Sequence, residues 1–199
     1  DLAVVCYINS SAELKQYADI CVTSSNAVDI VKKLPNKNIY FIPDKNLGSY
    51  VAEQVPEKHV ILNDGYCYVH NQVTKEQVEE IKSLKPGVEF LVHPECPAEI
   101  VALADYVGST KGIIEYATKS DKKEFIIGTE NGVIWELQEK NPDKKFYVLP
   151  GGQTCASMKK ITLEKVRDCL KTGSGQVEVN EKLRERSKLP LNRMLETAK

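Results

Sequence analysis

The sequence predicts an α/β protein made of two homologous three-layer αβα units, each with a parallel sheet. Two observations carry this. Short continuous apolar runs alternate with amphipathic stretches along most of the chain, and the residue pattern of the first half returns in the second at a nearly constant offset. Continuous apolar runs suit strands covered on both faces, which is the situation of parallel strands under helices.

The elements follow in order. Residues 2–8 (LAVVCYI), 19–23, 38–43 and 59–64 read as strands of the first unit, and 89–94, 105–109, 124–128 and 146–150 as those of the second. Between them, 11–18, 26–34, 46–55, 74–84, 98–104, 112–118 and 132–140 carry helical spacing of apolar residues. In the last stretch, Leu183, Leu189, Leu191, Met194 and Leu195 recur at roughly helical spacing among charges, with Pro190 expected to kink or divide the helix. A helix so placed needs a partner surface. The chain opens at Asp1 straight into a strand, which leads us to expect a segment upstream.

Of 199 residues, 42% are hydrophobic and 28% charged, with 27 Lys and Arg against 28 Asp and Glu, for a net charge of −1. Basic blocks of the kind that bind nucleic acid or a membrane surface are missing, and no run is long and apolar enough to span a bilayer. Six cysteines occur without CxxC pairs, which fits free thiols in a reducing cytoplasm better than a disulfide framework.

The repeat is specific. Asn9 and Glu95, Asp19 and Asp105, and Asp44 and Glu130 all stand 86 positions apart, while Cys67 and Cys155 stand 88 apart. The units therefore run over 1–68, ending in Cys67, and 69–156, which has a leading helix and ends in Cys155; residues 157–199 form a C-terminal helical segment. Equivalent thiols at the ends of two related units favour a shared metal over two buried hydrophobes. Cys6, Cys21, Cys96 and Cys169 have no such equivalence and read as core thiols. Two thiolates fall short of the four ligands of a closed site. His70 could be a third, although Met158 occupies the corresponding place after Cys155; a third copy upstream is the other possibility. No GxGxxG or GxxxxGK[ST] is present to indicate a nucleotide.

Seven motifs in order, YINS, TSSNA, PDKNLGSYVAEQV, GYCYVH, HPECP, ADYVGST and CASMK, closely resemble the quinolinate synthase family over residues 2–195. The resemblance implies a pseudo-threefold, three-domain architecture around a [4Fe–4S] cluster, of which this chain matches the second and third domains and the C-terminal segment. It implies that Cys67 and Cys155 are two cluster ligands, the absent N-terminal domain supplying the third. It further implies condensation of iminoaspartate with dihydroxyacetone phosphate to quinolinate in NAD biosynthesis, with the cluster as Lewis acid. L-aspartate oxidase or aspartate dehydrogenase would be the upstream enzyme.

Under that resemblance Glu95, Tyr7 and His93 are the candidate catalytic residues. Tyr7, Ile8, Asn9, Ser24, His70, His93, Pro94, Glu95, Ser109 and Thr110 are the candidate substrate-binding residues. Their places also make physical sense, since ligands gather at the carboxyl ends of parallel strands and helix N-termini favour anions. Each has a plainer alternative: Ser24 and Thr110 as N-caps, Asn9 as the cap of the next helix, His93 as a satisfied strand-end histidine. Asp44, Asn46 and Gly48 read as strand-to-helix turn residues. Two other functions remain open, a non-catalytic α/β scaffold and a zinc-binding module derived from the same repeat.

Overall fold

All eight expected strands form. A computed structural model describes residues 1–199, with β1 (Leu2–Tyr7), β2 (Ile20–Val22), β3 (Asn38–Ile42) and β4 (His59–Leu62) in one sheet. The second sheet holds β5 (Glu89–Val92), β6 (Tyr106–Val107), β7 (Glu124–Gly128) and β8 (Lys145–Val148). Both are four-stranded and parallel, in the orders β2-β1-β3-β4 and β6-β5-β7-β8.

The register repeats as well as the order. Val5 pairs with Ile20 and Leu91 with Tyr106; Ala3 pairs with Ile39 and Glu89 with Phe125; Asn38 pairs with His59 and Glu124 with Lys145. Every one of these pairs is displaced by the same 86 positions. The two aspartates of the repeat do the same job in each sheet: Asp19 accepts the Val4 N–H and Asp105 the Phe90 N–H, both at 2.8 Å. Each ties the turn before the edge strand to the first strand of its unit.

Ten helices complete the layers: α1 (Ala12–Lys15), α2 (Ala27–Lys33), α3 (Lys45–Gln54), α4 (Tyr68–Asn71), α5 (Lys75–Leu84), α6 (Ala98–Val101), α7 (Thr110–Lys119), α8 (Val133–Lys140), α9 (Leu163–Thr172) and α10 (Glu181–Thr197). In the second unit, Phe90, Val92 and Ile126 face α5 and α6, packing with Val78 and Ile100. Leu91, Phe125 and Ile127 face α7 and α8, packing with Ile113, Ala117 and Leu137. The period-2 alternation of a strand thus feeds two apolar layers, which is why these runs carry no polar position beyond the leading Glu89 and Glu124. Each such fully buried side chain contributes about 1.5–3 kcal/mol.

The C-terminal segment departs from expectation. α10 runs unbroken through Pro190, and the first unit covers it: Met194 belongs to that unit's core, with Leu191 packed beside it. The helix lies against α1, α2 and β2, and Arg193 donates to the Asp19 carbonyl at 2.7 Å. Its buried stripe is Ser187, Pro190 and Met194, flanked by half-buried Leu183 and Leu191, whereas Leu189 and Leu195 are exposed. Because Pro190 sits on the buried stripe, its ring packs against the unit while the helix continues on either side. α9 falls within the expected C-terminal helical segment, but it buries no residue. Cys169 lies on it and is exposed, so it is not the core thiol expected; Cys6, Cys21 and Cys96 are buried.

Candidate active site

Parallel strands deliver their carboxyl ends to one side, and here both sheets deliver theirs to a shared cavity of about 900 Å³. β1 contributes Tyr7 and, just beyond it, Asn9; the turn after β2 contributes Ser24. β5 leads to His93 and Glu95, the turn after β6 to Ser109 and Thr110, and β7 to Thr129 and Glu130. The loops after β4 and β8 bring Cys67 and Cys155 into the same lining. His70 joins from the short α4 that follows Cys67.

At the centre is a buried acid–base cluster. His70 Nδ1 lies 2.8 Å from Glu95 Oε2, and His70 Nε2 lies 3.0 Å from Thr129 Oγ1. His93 stacks on His70, with ring centroids 4.5 Å apart, and its Nδ1 accepts the Glu95 N–H at 3.2 Å. Burial alone would disfavour the His70 cation, but hydrogen bonds to Cys67 and Glu95 outweigh it and raise that ring to about 9. Burial likewise opposes the Glu95 carboxylate, yet the bond from His70 and the neighbouring imidazoles pull it down to about 2. His93 moves the other way, to about 4, through burial and the adjacent His70 charge. The cluster is thus an ion pair stacked on a neutral imidazole. Tyr7 is pushed up by burial and by the Glu95 charge, which keeps its hydroxyl protonated.

The cysteines are held by matching devices. Asp44 caps α3 by accepting from Asn46 and Leu47, and its other oxygen accepts the Cys67 N–H. Glu130 accepts from Gly132 and from the Cys155 N–H, and Lys159 stands 3.5 Å from it. Tyr68 links the two loops: its hydroxyl lies 3.7 Å from Cys155 Sγ and accepts the Ala156 N–H at 3.0 Å. The Met158 backbone N–H, then the Tyr68 hydroxyl, lower the Cys155 thiol below its ordinary value.

Of the residues singled out from sequence, Tyr7, Asn9, Ser24, Cys67, His70, His93, Glu95, Ser109, Thr110 and Cys155 line the cavity. Ile8 and Pro94 do not; Ile8 packs on the first core, and Pro94 lines an adjoining cavity between the units. Ser11 caps α1, and Ser109, itself a candidate, caps α7 by accepting the Gly112 N–H, while Asn26 opens α2 with no side-chain cap bond; Asn9, Ser24 and Thr110 are thus uncommitted to capping. Sequence reading missed Thr129, Glu130, Lys111 and Lys159 in the lining. Thr129 and Glu130 could have been found from the repeat, since they end β7 as Pro43 and Asp44 end β3. The lysines carry no such signal. Asn46, read as a turn residue, also reaches across: its amide donates to the Glu95 carbonyl at 2.9 Å and to Asn71 at 3.0 Å.

The donors suit a thiophilic metal group. Cys67, His70 and Glu95 bring a sulfur, a nitrogen and an oxygen within 4.8 Å of one another. Glu95 Oε1 is buried with no hydrogen-bond partner, and a second half-buried thiol, Cys155, faces the same space. No helix is long and apolar enough to cross a membrane.

Comparison with known proteins gives the family. The family model described as Quinolinate synthetase A protein matches residues 1–196. A quinolinate synthase of Caldicellulosiruptor bescii is 55% identical over 98% of this chain, and one of Fusobacterium nucleatum 53% identical over 100%. A protein named quinolinate synthase 2 from Methanosarcina acetivorans is 47% identical over 98% of the chain. The chain spans about two thirds of the length of these relatives, 65%, 66% and 63% respectively. Two parallel α/β units with one register, their strand ends and cysteine loops meeting in a single cavity, belong with these matches: the chain is a member of the quinolinate synthetase A family.

Proposed function

We propose that this chain forms the catalytic half-shell of a quinolinate synthase, in which iminoaspartate and dihydroxyacetone phosphate condense to quinolinate with release of phosphate and water. The observation that carries the reading is the convergence of two repeat-equivalent cysteines on one cavity beside the buried His70–Glu95 pair. Cys67 and Cys155 would hold a [4Fe–4S] cluster, the third thiolate coming from a further α/β unit, as in a pseudo-threefold assembly. Bound there, the cluster would supply a Lewis-acid iron. The division into 1–68, 69–156 and a C-terminal segment 157–199 belongs to the same proposal, as do a cytoplasmic setting and an upstream oxidase or dehydrogenase acting on aspartate.

The protein's own groups take the proton traffic. Glu95, held ionised by His70, is the base that removes a proton from a substrate carbon; charged His70 is the acid that returns one to a departing oxygen. Asn46 fixes the Glu95 backbone and Thr129 fixes the His70 ring, so neither group must reorganise during the reaction. Tyr7 and neutral His93 offer hydrogen bonds without adding charge. Ser24, Ser109, Thr110 and the cations Lys111 and Lys159 suit the carboxylates and phosphate of the substrates.

The test is anaerobic reconstitution of the complete enzyme with iron and sulfide, followed by iron analysis and a quinolinate assay. Cys67→Ala and Cys155→Ala should each lose the cluster, whereas Cys6→Ala, Cys21→Ala, Cys96→Ala and Cys169→Ala should keep it. Full iron in Cys155→Ala overturns the reading.

A further inference from the structure

We propose that Cys67, His70 and Glu95 also form a mononuclear site for a divalent ion of the zinc type, which excludes a cluster from Cys67. Their ligand atoms lie within 4.8 Å of one another, and Cys155 is not among them. Tetrahedral zinc with sulfur, nitrogen and oxygen ligands sets those atoms about 3.4–3.6 Å apart. The 2.8 Å His70–Glu95 contact therefore opens by roughly 0.6 Å, and the longer separations close by roughly 1.4 Å at most. Side-chain torsions alone can provide that.

Three further features favour an ion. Glu95 Oε1 is buried and unpartnered, so the carboxylate has an unused oxygen in an enclosed place. Thr129 sits at His70 Nε2, where it can accept that N–H and leave Nδ1 free to ligate. A thiolate and a carboxylate neutralise a divalent ion, which removes the cost of leaving either charge alone away from water. The cavity provides water for the fourth position, as in three-ligand zinc sites. The ion occupies the atoms assigned above to proton transfer, so the zinc form is an inhibited form. The site stands whether or not the cluster reading holds.

Titration of the metal-free 199-residue chain with Co²⁺, in anaerobic buffer, tests this. One equivalent should bind with the visible bands of four-coordinate cobalt and a near-ultraviolet thiolate-to-cobalt band, and Zn²⁺ should displace it. Cys155→Ser should bind unchanged, which separates this site from any that needs both cysteines. Cys67→Ser should lose the thiolate band, Glu95→Gln should weaken binding at least tenfold, and Thr129→Val should weaken it about 10–100-fold; circular dichroism checks that each variant is folded. A wild-type chain without the thiolate band, a band that survives Cys67→Ser, or one lost in Cys155→Ser overturns the proposal.

Discussion

Tyr68 and Cys155 belong to different units, yet the Tyr68 hydroxyl lies 3.7 Å from the Cys155 sulfur. The residue that follows one repeat's cysteine thus solvates the cysteine of the other. After the Met158 N–H, this hydroxyl is the next largest influence lowering the Cys155 thiol. Tyr68→Phe should move the pH profile of Cys155 alkylation to higher pH in the metal-free chain and leave Cys67 labelling nearly unchanged. Peptide mass spectrometry after timed iodoacetamide exposure measures it. An unmoved Cys155 profile removes Tyr68 from the account.

Asp44 and Glu130 hold the two cysteine loops by the same bond. Asp44 also caps α3 and is buried, so Asp44→Ala loses a cap worth about 1 kcal/mol and leaves a buried N–H unpaired for about 1–3 kcal/mol more. Glu130 is less enclosed, and Glu130→Ala should cost less in urea unfolding. Each variant should speed labelling of its own cysteine, Cys67 or Cys155, and not of the other. Equal acceleration of both cysteines in either variant would show general loosening instead.

Glu95→Gln preserves shape and removes the charge that His70 pairs with. In the complete enzyme it should keep its iron and lose about 10²–10⁴-fold in turnover, the usual contribution of a general base. Tyr7→Phe should lose less. Wild-type turnover in Glu95→Gln moves the base elsewhere.

The stacked histidines pull stability in opposite directions with pH. His93 falls to about 4 in the fold against roughly 6.5 unfolded, so the unfolded chain binds the proton first. Its contribution is full above about pH 6.5 and is lost as pH falls toward 4, roughly 3 kcal/mol in all. His70, raised to about 9, contributes fully below about pH 6.5 and loses that contribution as pH rises through 9. The metal-free chain should be most stable near pH 6–7. His93→Gln should flatten the fall between pH 6.5 and 4.5, above the range where Glu95 takes up its proton; urea titrations across pH decide this.

The strands and the repeat were legible because each depends on local pattern: a doubly covered strand must be apolar throughout, and Asp19 and Asp105 sit at fixed places in the turn. The cysteines and the strand-end residues were legible for the same reason, since parallel topology sends every strand end to one side. What escaped depends on contacts between residues far apart in the chain. Nothing local marks Thr129 as the partner of His70, Asn46 as the clamp on Glu95, or Tyr68 as the neighbour of Cys155; those pairs are 59, 49 and 87 residues apart. Cys169 misled because the lack of a counterpart in the repeat says nothing of whether a thiol is covered, and its helix buries no residue.

α10 shows which of two apolar neighbours the fold uses. Met194 is 6% exposed and packs in the first unit's core, whereas Leu195, one position on, is 59% exposed. A helix turns about 100° per residue, so only one of the two can join the stripe through Ser187 and Pro190. Met194→Ala should cost about 2–4 kcal/mol through lost burial and the cavity left behind. Leu195→Ala should stay within about 0.5 kcal/mol. If α10 were instead docked through its Leu189 and Leu195 face, the order would reverse. Urea unfolding of the two single variants, compared at equal slope, distinguishes the two dockings.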